Sequence, residues 1–396
     1  MDKEFLERIV ARGVDFARDY GTVMLQSGPG KHTLEDSMEI FRQLTEKLPV
    51  TSVIFHGDHV ARCCVDDLTA MRANCEAIIY IGNTCFAPSS LPHLVLPSIP
   101  DVTDMMADAK AIVEACQSEG WGKVVLVAEY SNWCLLPALA DALAGLGLDA
   151  SIQQMEDPTG ELKSIHGRFV PADATPVYVG AESALETHLR MDSKIIHCSC
   201  PGVYVAGMVP TRRRYGVMNR LKQCTCIGLL PILHAPSDAL NRTLDTLERH
   251  LVSRGLPTRV CYLADPTPDK MTNFPEIDGW VVVTECPNTA VPQWQANAFF
   301  DRSTVPYPVA TVMELLASID SVDWFTTRYQ TDLRNMSTTI KALESSEWAV
   351  TRAVVKPVTW IPTVEGVVTL ESGLSGRAEA YDHEKGLNAG LPLDKW

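Results

Sequence analysis

The sequence feature that most constrains the fold is an alternation of continuous apolar runs with amphipathic stretches. The runs are rich in Val, Ile and Leu, as in strands that are covered on both faces. They are GTVMLQ, TSVIFHG, AIIYIG, HLVLPS, KVVLVAEY, TPVYVG, SKIIHCSC, TCIGLLPIL, TRVCYLA and GWVVVTEC. Between them lie stretches with helical spacing, such as LEDSMEIFRQLTEKL, VTDMMADAKAIVEACQSEG, LLPALADALAGLG and SDALNRTLDTLERHLVSRG. Strands that alternate with helices indicate βα units in a largely parallel sheet.

The alternation divides into three blocks of similar size, and a chain of 396 residues is long enough for two or three domains. The pattern therefore predicts an α/β protein with three similar domains, each a mostly parallel sheet flanked by helices. We expect these domains over residues 20–118, 119–208 and 209–320. Residues 1–19 predict an N-terminal helix from their helical spacing, whereas residues 321–396 lose the alternation and predict an irregular C-terminal arm.

Charge and hydropathy exclude several classes of protein. With 34 Lys and Arg against 49 Asp and Glu, the net charge is -15, which disfavours direct nucleic-acid binding because phosphates require a basic surface. No stretch reaches the ~18 uncharged apolar residues that cross a bilayer. The charged start of the chain is unlike a secretory signal, so we expect a cytoplasmic protein with no membrane partner. An apolar share of 46% argues against intrinsic disorder.

Twelve cysteines without a secretion signal indicate a reducing compartment, in which thiols stay free or bind metal. Cys63 follows one apolar run and opens the apparent helix CCVDDLTAMRA, and Cys85 and Cys286 each follow another run. Ligands gather beyond the carboxyl ends of parallel strands. Three thiolates there could hold an iron–sulfur cluster and leave one iron free. An α/β protein with twelve cysteines will place some of them at strand ends in any case. The spacing alone is therefore also explained by cysteines that only pack in the structure.

The other cysteines have simpler explanations. Four lie in apolar stretches and are expected to be core residues: Cys75, Cys116, Cys134 and Cys261. The Cys-x-Cys pairs at 198/200 and 224/226 could form metal half-sites, but inward positions of buried strands explain them as well. No Cys-x2-Cys pair occurs in the sequence, which disfavours a structural zinc module.

Three polar motifs are interpreted as structural. Residues 27–33 (SGPGKHT) contain the residue types of a phosphate-binding loop without its spacing, and we interpret them as a turn. Asp66 and Asp67 complement the dipole of the helix that they begin. Residues 212–215 (RRRY) form the one dense basic run, which predicts a solvated helix start, with an anion or an acidic partner as the functional alternative.

Several segments together resemble a known family. They are residues 63–67 (CCVDD), 82–85 (GNTC) with Pro88, 212–215 (RRRY), 273–278 (NFPEID), 283–287 (VTECP) and 373–378 (GLSGRA) with Tyr381. These motifs resemble those of diphthamide biosynthesis proteins 1 and 2, the two related subunits of 2-(3-amino-3-carboxypropyl)histidine synthase. The resemblance extends from about residue 20 to residue 381 and implies three domains arranged around a central iron–sulfur site.

The resemblance favours the second, accessory subunit. The catalytic subunit has one cysteine per domain, and Arg168 stands where its middle cysteine would be. Residues 231–234 (PILH) replace the family's Gly-Thr-Leu-Gly, which further weakens a catalytic assignment. By resemblance, a 4Fe–4S cluster would be held by Cys63, Cys85 and Cys286, with Cys63 preferred over Cys64. No residue of this chain is expected to be catalytic.

The resemblance also implies a reaction and partners. The complex moves the 3-amino-3-carboxypropyl group of S-adenosylmethionine onto a histidine of elongation factor 2. S-adenosylmethionine would bind on diphthamide biosynthesis protein 1, the catalytic partner in a heterodimer, and this chain would help to reduce that partner's cluster. Diphthamide biosynthesis protein 3 is the implied electron donor. Two alternatives remain: a self-sufficient homodimeric transferase, in which Cys198 or Cys200 supplies the missing ligand, and a cluster-free scaffold.

Overall fold

The computed structural model describes residues 3–345 with short gaps. The gaps are residue 29 and residues 58–62, 87–88, 102–103, 156–162, 166–167, 200–201, 233–236, 264–265, 287–306, 326–328, 332 and 334–335. Motifs beyond residue 345, including GLSGRA, lie outside the described residues. Within the described part of the chain, no helix combines the length and the apolar composition that a bilayer crossing requires.

The first sheet is built from the N-terminal part of the chain and is wholly parallel. Its strands are β1 (Thr22–Ser27), β2 (Ser52–His56), β3 (Ala77–Ile81) and β4 (His93–Leu96), in the order β2-β1-β3-β4. Its helices are α1 (Lys3–Ala17), α2 (Leu34–Lys47) and α3 (Asp67–Arg72). Thr33 begins α2 with a reciprocal capping box to Asp36.

The second sheet has five strands. The elements in chain order are α4 (Met105–Glu119), β5 (Lys123–Ala128), the 3₁₀ helix Tyr130–Leu135, α5 (Leu136–Gly145), β6 (Asp149–Ile152), β7 (Lys163–Ile165), β8 (Arg168–Val170), β9 (Thr175–Val179), α6 (Ala184–Asp192), β10 (Ile195–Ser199) and β11 (Gly202–Ala206). The sheet order is β11-β10-β9-β5-β6, with only the β10–β11 pair antiparallel. β7 and β8 form a separate antiparallel pair.

The third sheet is again wholly parallel. The elements in chain order are α7 (Val209–Leu221), β12 (Ile227–Pro231), α8 (Asp238–Ser253), β13 (Thr258–Val260), α9 (Pro268–Met271), β14 (Gly279–Val283), β15 (Val309–Thr311), α10 (Val312–Ser318) and α11 (Ser337–Ser345). The sheet order β13-β12-β14-β15 repeats that of the first sheet, with the second strand outside the first.

Each sheet is packed on both faces, which explains the continuous apolar runs. In the second sheet, for example, Val124 and Leu126 belong to one buried cluster and Val125 and Val127 to another. Successive side chains of a strand point to opposite faces, so a strand buried on both faces needs apolar residues throughout. The predicted fold class is thus confirmed: three mostly parallel sheets flanked by helices.

Several local expectations differ from the structure. The helix expected to open at Cys63 begins at Asp67. The stretch from residue 321, predicted to be irregular, contains α11, which packs its buried Ile340 against the third-sheet core. Cys134 is exposed at the end of a 3₁₀ turn and is not a core residue, whereas Cys75 and Cys116 are buried as expected. Five strands, β6, β7, β8, β11 and β15, were not predicted from the sequence.

Candidate metal centre

Four cysteine side chains converge between the first and third sheets. The Sγ atoms of Cys63, Cys64, Cys85 and Cys286 all lie within 4.8 Å of one another. Cys286 Sγ is 3.3 Å from both Cys63 Sγ and Cys85 Sγ, and Cys64 Sγ is 3.2 Å from Cys85 Sγ. The exposed fraction is 6% or less for each residue. The structure therefore brings together the three cysteines predicted from the sequence and adds Cys64 to them.

Cys63 and Cys64 are positioned by a tightly held turn that precedes α3. The buried side-chain amide of Gln26, in β1, donates to the Asp66 carbonyl at 2.8 Å and accepts from the Asp66 N–H at 2.9 Å. The Asp66 carboxylate then caps α3 by accepting from the N–H of Thr69 at 3.0 Å. The Gln26 side chain, in the first sheet, thus holds both the N–H and the carbonyl of Asp66, which lies two positions after the cysteine pair.

Asp66 and Asp67 have separate structural tasks. Asp67 is completely buried and accepts hydrogen bonds from the hydroxyls of Ser89 and Ser90, each at 2.6 Å. This contact ties the start of α3 to the segment that follows Cys85. The expectation of a helix-start pair is therefore correct: Asp66 caps α3 and Asp67 lies in its first turn, where it also holds the segment after Cys85.

Cys85 and Cys286 lie in loops that follow β3 and β14. Gly82 begins the first loop with φ +130°, a conformation that glycine adopts without strain. The Cys85 N–H donates to the Cys63 carbonyl at 3.2 Å, which couples the two loops directly. The Cys286 N–H donates to the hydroxyl of buried Thr284 at 3.1 Å. Backbone contacts of this kind fix where each sulfur points.

The buried pocket disfavours the charged form of the two adjacent thiols, Cys63 and Cys64. Contact with Cys286 and burial raise the pKa of Cys63 well above the ordinary thiol value, and burial together with neighbouring thiols raises that of Cys64. A bound cation reverses this balance because it stabilises the thiolates that coordinate it. Soft thiolate donors select iron–sulfur clusters, zinc or copper(I) rather than hard cations. In donor type, the four residues fit an iron–sulfur cluster.

The other predicted metal candidates lie elsewhere. Cys198 packs inside the second-sheet core, and burial raises its pKa to about 12. Cys224 and Cys226 are half-buried, as is Cys261, which was expected to be a core residue, and none of the three belongs to the four-thiol group. Cys200 lies outside the described residues. The described part of the second sheet therefore contributes no thiol to the site.

Arg168 occupies the position at which the sequence lacked a cysteine. It is completely buried, and its Nη2 donates to the Glu129 carboxylate at 3.0 Å. Its guanidinium carbon lies 5.7 Å from the ring centroid of Phe86, the residue after Cys85. The part of the chain that forms the second sheet thus presents a buried cation beside the Cys85 loop.

The basic run RRRY is divided between surface and core, so the expectation of a solvated helix start is wrong for Arg214. Arg212 is exposed, but Arg214 is buried and forms a bidentate ion pair with buried Glu314 of α10. Burial alone would lower the pKa of Arg214, and the Glu314 carboxylate reverses that effect and raises it. The pair joins α7 to α10 within the third domain.

Comparisons with known proteins agree with the fold. A family model described as "Putative diphthamide synthesis protein" matches residues 31–330. The chain belongs to the diphthamide synthesis protein family. The resemblance stated from the motifs is therefore confirmed at the level of the family.

Named relatives within this family are synthase subunits. Subunit 2 of 2-(3-amino-3-carboxypropyl)histidine synthase from Homo sapiens is 25% identical over 334 residues, covering 76% of this chain and 67% of the relative. Subunit 1 from Caenorhabditis elegans is 22% identical over 308 residues, covering 72% of each chain. A crystal structure of Dph2 from Pyrococcus horikoshii with a 4Fe–4S cluster matches with a TM-score of 0.60 at 18% identity, covering 83% of this chain and 92% of that chain. The structural likeness shows a shared fold.

Proposed function

We propose that this chain is the iron–sulfur accessory subunit of a heterodimeric transferase in diphthamide biosynthesis. The convergence of four buried thiols from the first and third domains is the observation that carries the proposal. Similarity to synthase subunits 1 and 2 supports membership of such a complex. The arginine in place of a middle-domain thiol supports an accessory role rather than a catalytic one.

Within the proposal, Cys63, Cys85 and Cys286 hold a 4Fe–4S cluster, and Cys64 lies close enough to serve as an additional or replacement ligand. When bound, the cluster supplies one-electron redox chemistry. The chain's own residues exclude water, since each cysteine is almost fully buried, and fix the sulfur positions through Gln26. Exclusion of water and fixed sulfur positions suit a subunit that passes electrons to its partner and does not bind substrate itself.

The reaction and partners follow from the proposed role. The complex would transfer the 3-amino-3-carboxypropyl group of S-adenosylmethionine to a histidine of elongation factor 2. S-adenosylmethionine would bind on diphthamide biosynthesis protein 1, and diphthamide biosynthesis protein 3 would supply electrons. A cytoplasmic location suits this chemistry, because the described cysteines are free thiols, as expected in a reducing compartment.

A cluster-free scaffold with a structural zinc ion is the second candidate, favoured by the spacing of the thiols. Four sulfurs on one tetrahedral zinc lie about 3.8 Å apart, from Zn–S bonds of about 2.3 Å. The observed distances of 3.2 and 3.3 Å, within a group no wider than 4.8 Å, are close to that arrangement. Clusters and zinc ions both take thiolate ligands, so metal analysis has to separate them.

The deciding experiment is anaerobic co-expression with the candidate catalytic subunit, followed by iron, sulfide and zinc analysis of each polypeptide. We expect about four iron and four sulfide per copy of this chain, with a broad visible thiolate-to-iron band. Cys286→Ser should bleach the band and lower the iron content. Cys261→Ser, a half-buried thiol outside the group, is the matched control and should change neither.

The outcomes separate the candidates. Zinc without iron would support the scaffold, and unchanged iron in Cys286→Ser would remove the third ligand from the proposal. Parallel Cys63→Ser and Cys64→Ser variants identify which of the pair the cluster requires. The purified chain alone, reduced and given S-adenosylmethionine, should not cleave it. Robust cleavage without a partner would instead indicate the self-sufficient homodimer.

A further inference from the structure

The second domain contributes charge to the region where the other two domains contribute sulfur. Arg168, with no exposed surface, opens β8 and is bound to Glu129, which follows β5 and is 7% exposed. Solvent screens such an enclosed pair poorly, so each of its two charges acts over a longer distance than a surface charge does. Burying these two charges costs free energy of desolvation, which their mutual attraction only partly offsets.

Phe86 connects this pair to the thiol site. The Arg168 guanidinium lies over the Phe86 ring at 5.7 Å, within the range of a cation–π contact. The other contacts of the ring include stacking on Trp133, with centroids 5.3 Å apart and an interplanar angle of 21°. Phe86 has φ +54°, a left-handed conformation that is uncommon for a residue with a side chain. The residue next to Cys85 is thus held against the cation.

The pKa of a further buried group, the Tyr178 phenol, depends on both charges. Burial raises the pKa of Tyr178, at the end of β9, well above the ordinary phenol value. The Glu129 carboxylate adds to this rise and the Arg168 guanidinium opposes it. The two charges therefore have opposite effects on the pKa of Tyr178, and their electrostatic effects do not cancel at every nearby group.

We propose that Arg168 and Glu129, held against Phe86, tune the reduction potential of the cluster bound by the neighbouring cysteines. This inference rests on the proposed function. Reduction adds one electron to the cluster and breaks no bond, so a nearby cation favours the reduced state and a nearby anion disfavours it. Arg168 and Glu129 are positioning residues in this scheme, since neither is assigned to touch the cluster or a substrate.

The test measures the midpoint potential of this chain's cluster by spectroelectrochemistry in the anaerobically purified chain, because the complex would also contain the partner's cluster. Arg168→Gln removes the cation and should shift the potential to a more negative value. Glu129→Gln removes the anion, leaves an amide oxygen to accept from Arg168, and should shift the potential to a more positive value. Arg168→Lys preserves the charge and should restore most of the wild-type potential. Glu119→Gln breaks an exposed pair with Lys194 and is the matched control with no expected shift.

Shifts of opposite sign in Arg168→Gln and Glu129→Gln at wild-type iron content would support the inference, because general loosening of the site would move both variants alike. No shift, or shifts of the same sign, would overturn it and leave the proposed function intact. Wild-type protein without iron would overturn the proposed function and the inference together. If Arg168→Gln does not fold, Glu129→Gln and Arg168→Lys decide the question by the same measurement.

Discussion

Replacing Arg214 with methionine should selectively weaken the third domain. Nε of Arg214 donates to Glu314 at 2.6 Å, a second bond reaches the other carboxylate oxygen, and Nη2 donates to the Val309 carbonyl at 3.2 Å. The same carboxylate accepts from the Tyr329 hydroxyl at 2.8 Å and from the Thr311 N–H at 2.8 Å. Arg214→Met removes the guanidinium and leaves Glu314 buried with two neutral donors.

The expected loss can be estimated from the burial of both partners. Breaking a buried ion pair by removing one partner costs about 3–5 kcal/mol. Because Tyr329 and Thr311 still solvate the carboxylate, and because Glu314 can take up a proton, we expect about 3 kcal/mol, the lower end of that range. Arg212→Met, in the same basic run but exposed, should stay within about 0.5 kcal/mol of wild type.

Hydrogen exchange followed by mass spectrometry is the suitable assay, since a chain with several domains need not unfold in a single step. A loss of about 3 kcal/mol corresponds to roughly hundredfold faster exchange, at about 1.4 kcal/mol per factor of ten. The faster exchange should appear in peptides that cover α7 and α10 and be absent in Arg212→Met. Equal effects of the two variants, or wild-type exchange in Arg214→Met, would refute the structural role of Arg214 and return RRRY to the anion-binding alternative.

Three shorter predictions concern the first domain. Gln26→Leu leaves both backbone groups of Asp66 without their amide partner and should cost about 2–4 kcal/mol, measured by hydrogen exchange of peptides that cover β1 and α3, with lower iron content in the purified complex. Gly28→Ala should lower the melting temperature, because a Cβ at Gly28 would overlap the Tyr80 hydroxyl; wild-type melting would show that the loop can shift. Burial lowers the pKa of His32, so its folded form resists protonation and stability should fall as pH drops below about 6.5. His32→Asn should reduce that loss in urea titrations between pH 7.5 and 5.5, and an unchanged slope would contradict the assignment.

The sequence was most informative where one local rule decides the structure. Continuous apolar runs identified the long strands of all three sheets, because strands covered on both faces leave few other interpretations for such runs. It was least informative where a strand is short and continues directly into another element. β15 ends at Thr311 and α10 begins at Val312, all within one buried stretch with no loop between them. The capping box of Thr311 with Glu314 is the one local signal of the helix start, and it was not used.

At the candidate site, the positions of Cys63, Cys85 and Cys286 beyond strand ends allowed a shared site but were also explained by packing, and the family resemblance singled out these three. Cys63 was preferred over Cys64 because the resemblance aligns Cys63 with the single cysteine that occurs where the family lacks the pair. The actual turn before Asp67 allows both thiols to face inward, and the clamp by Gln26 that holds this turn is not visible in any local pattern. Contacts of this kind depend on tertiary structure.

The sequence separation of the thiols has a consequence for how the protein is made. Cys85 and Cys286 are in contact across 201 positions of chain. A nascent chain has no complete thiol set until residue 286 has left the ribosome and the third sheet has met the first. Insertion of the proposed cluster would therefore follow translation of the first 286 residues, and a product that terminates earlier would lack one of the four thiols.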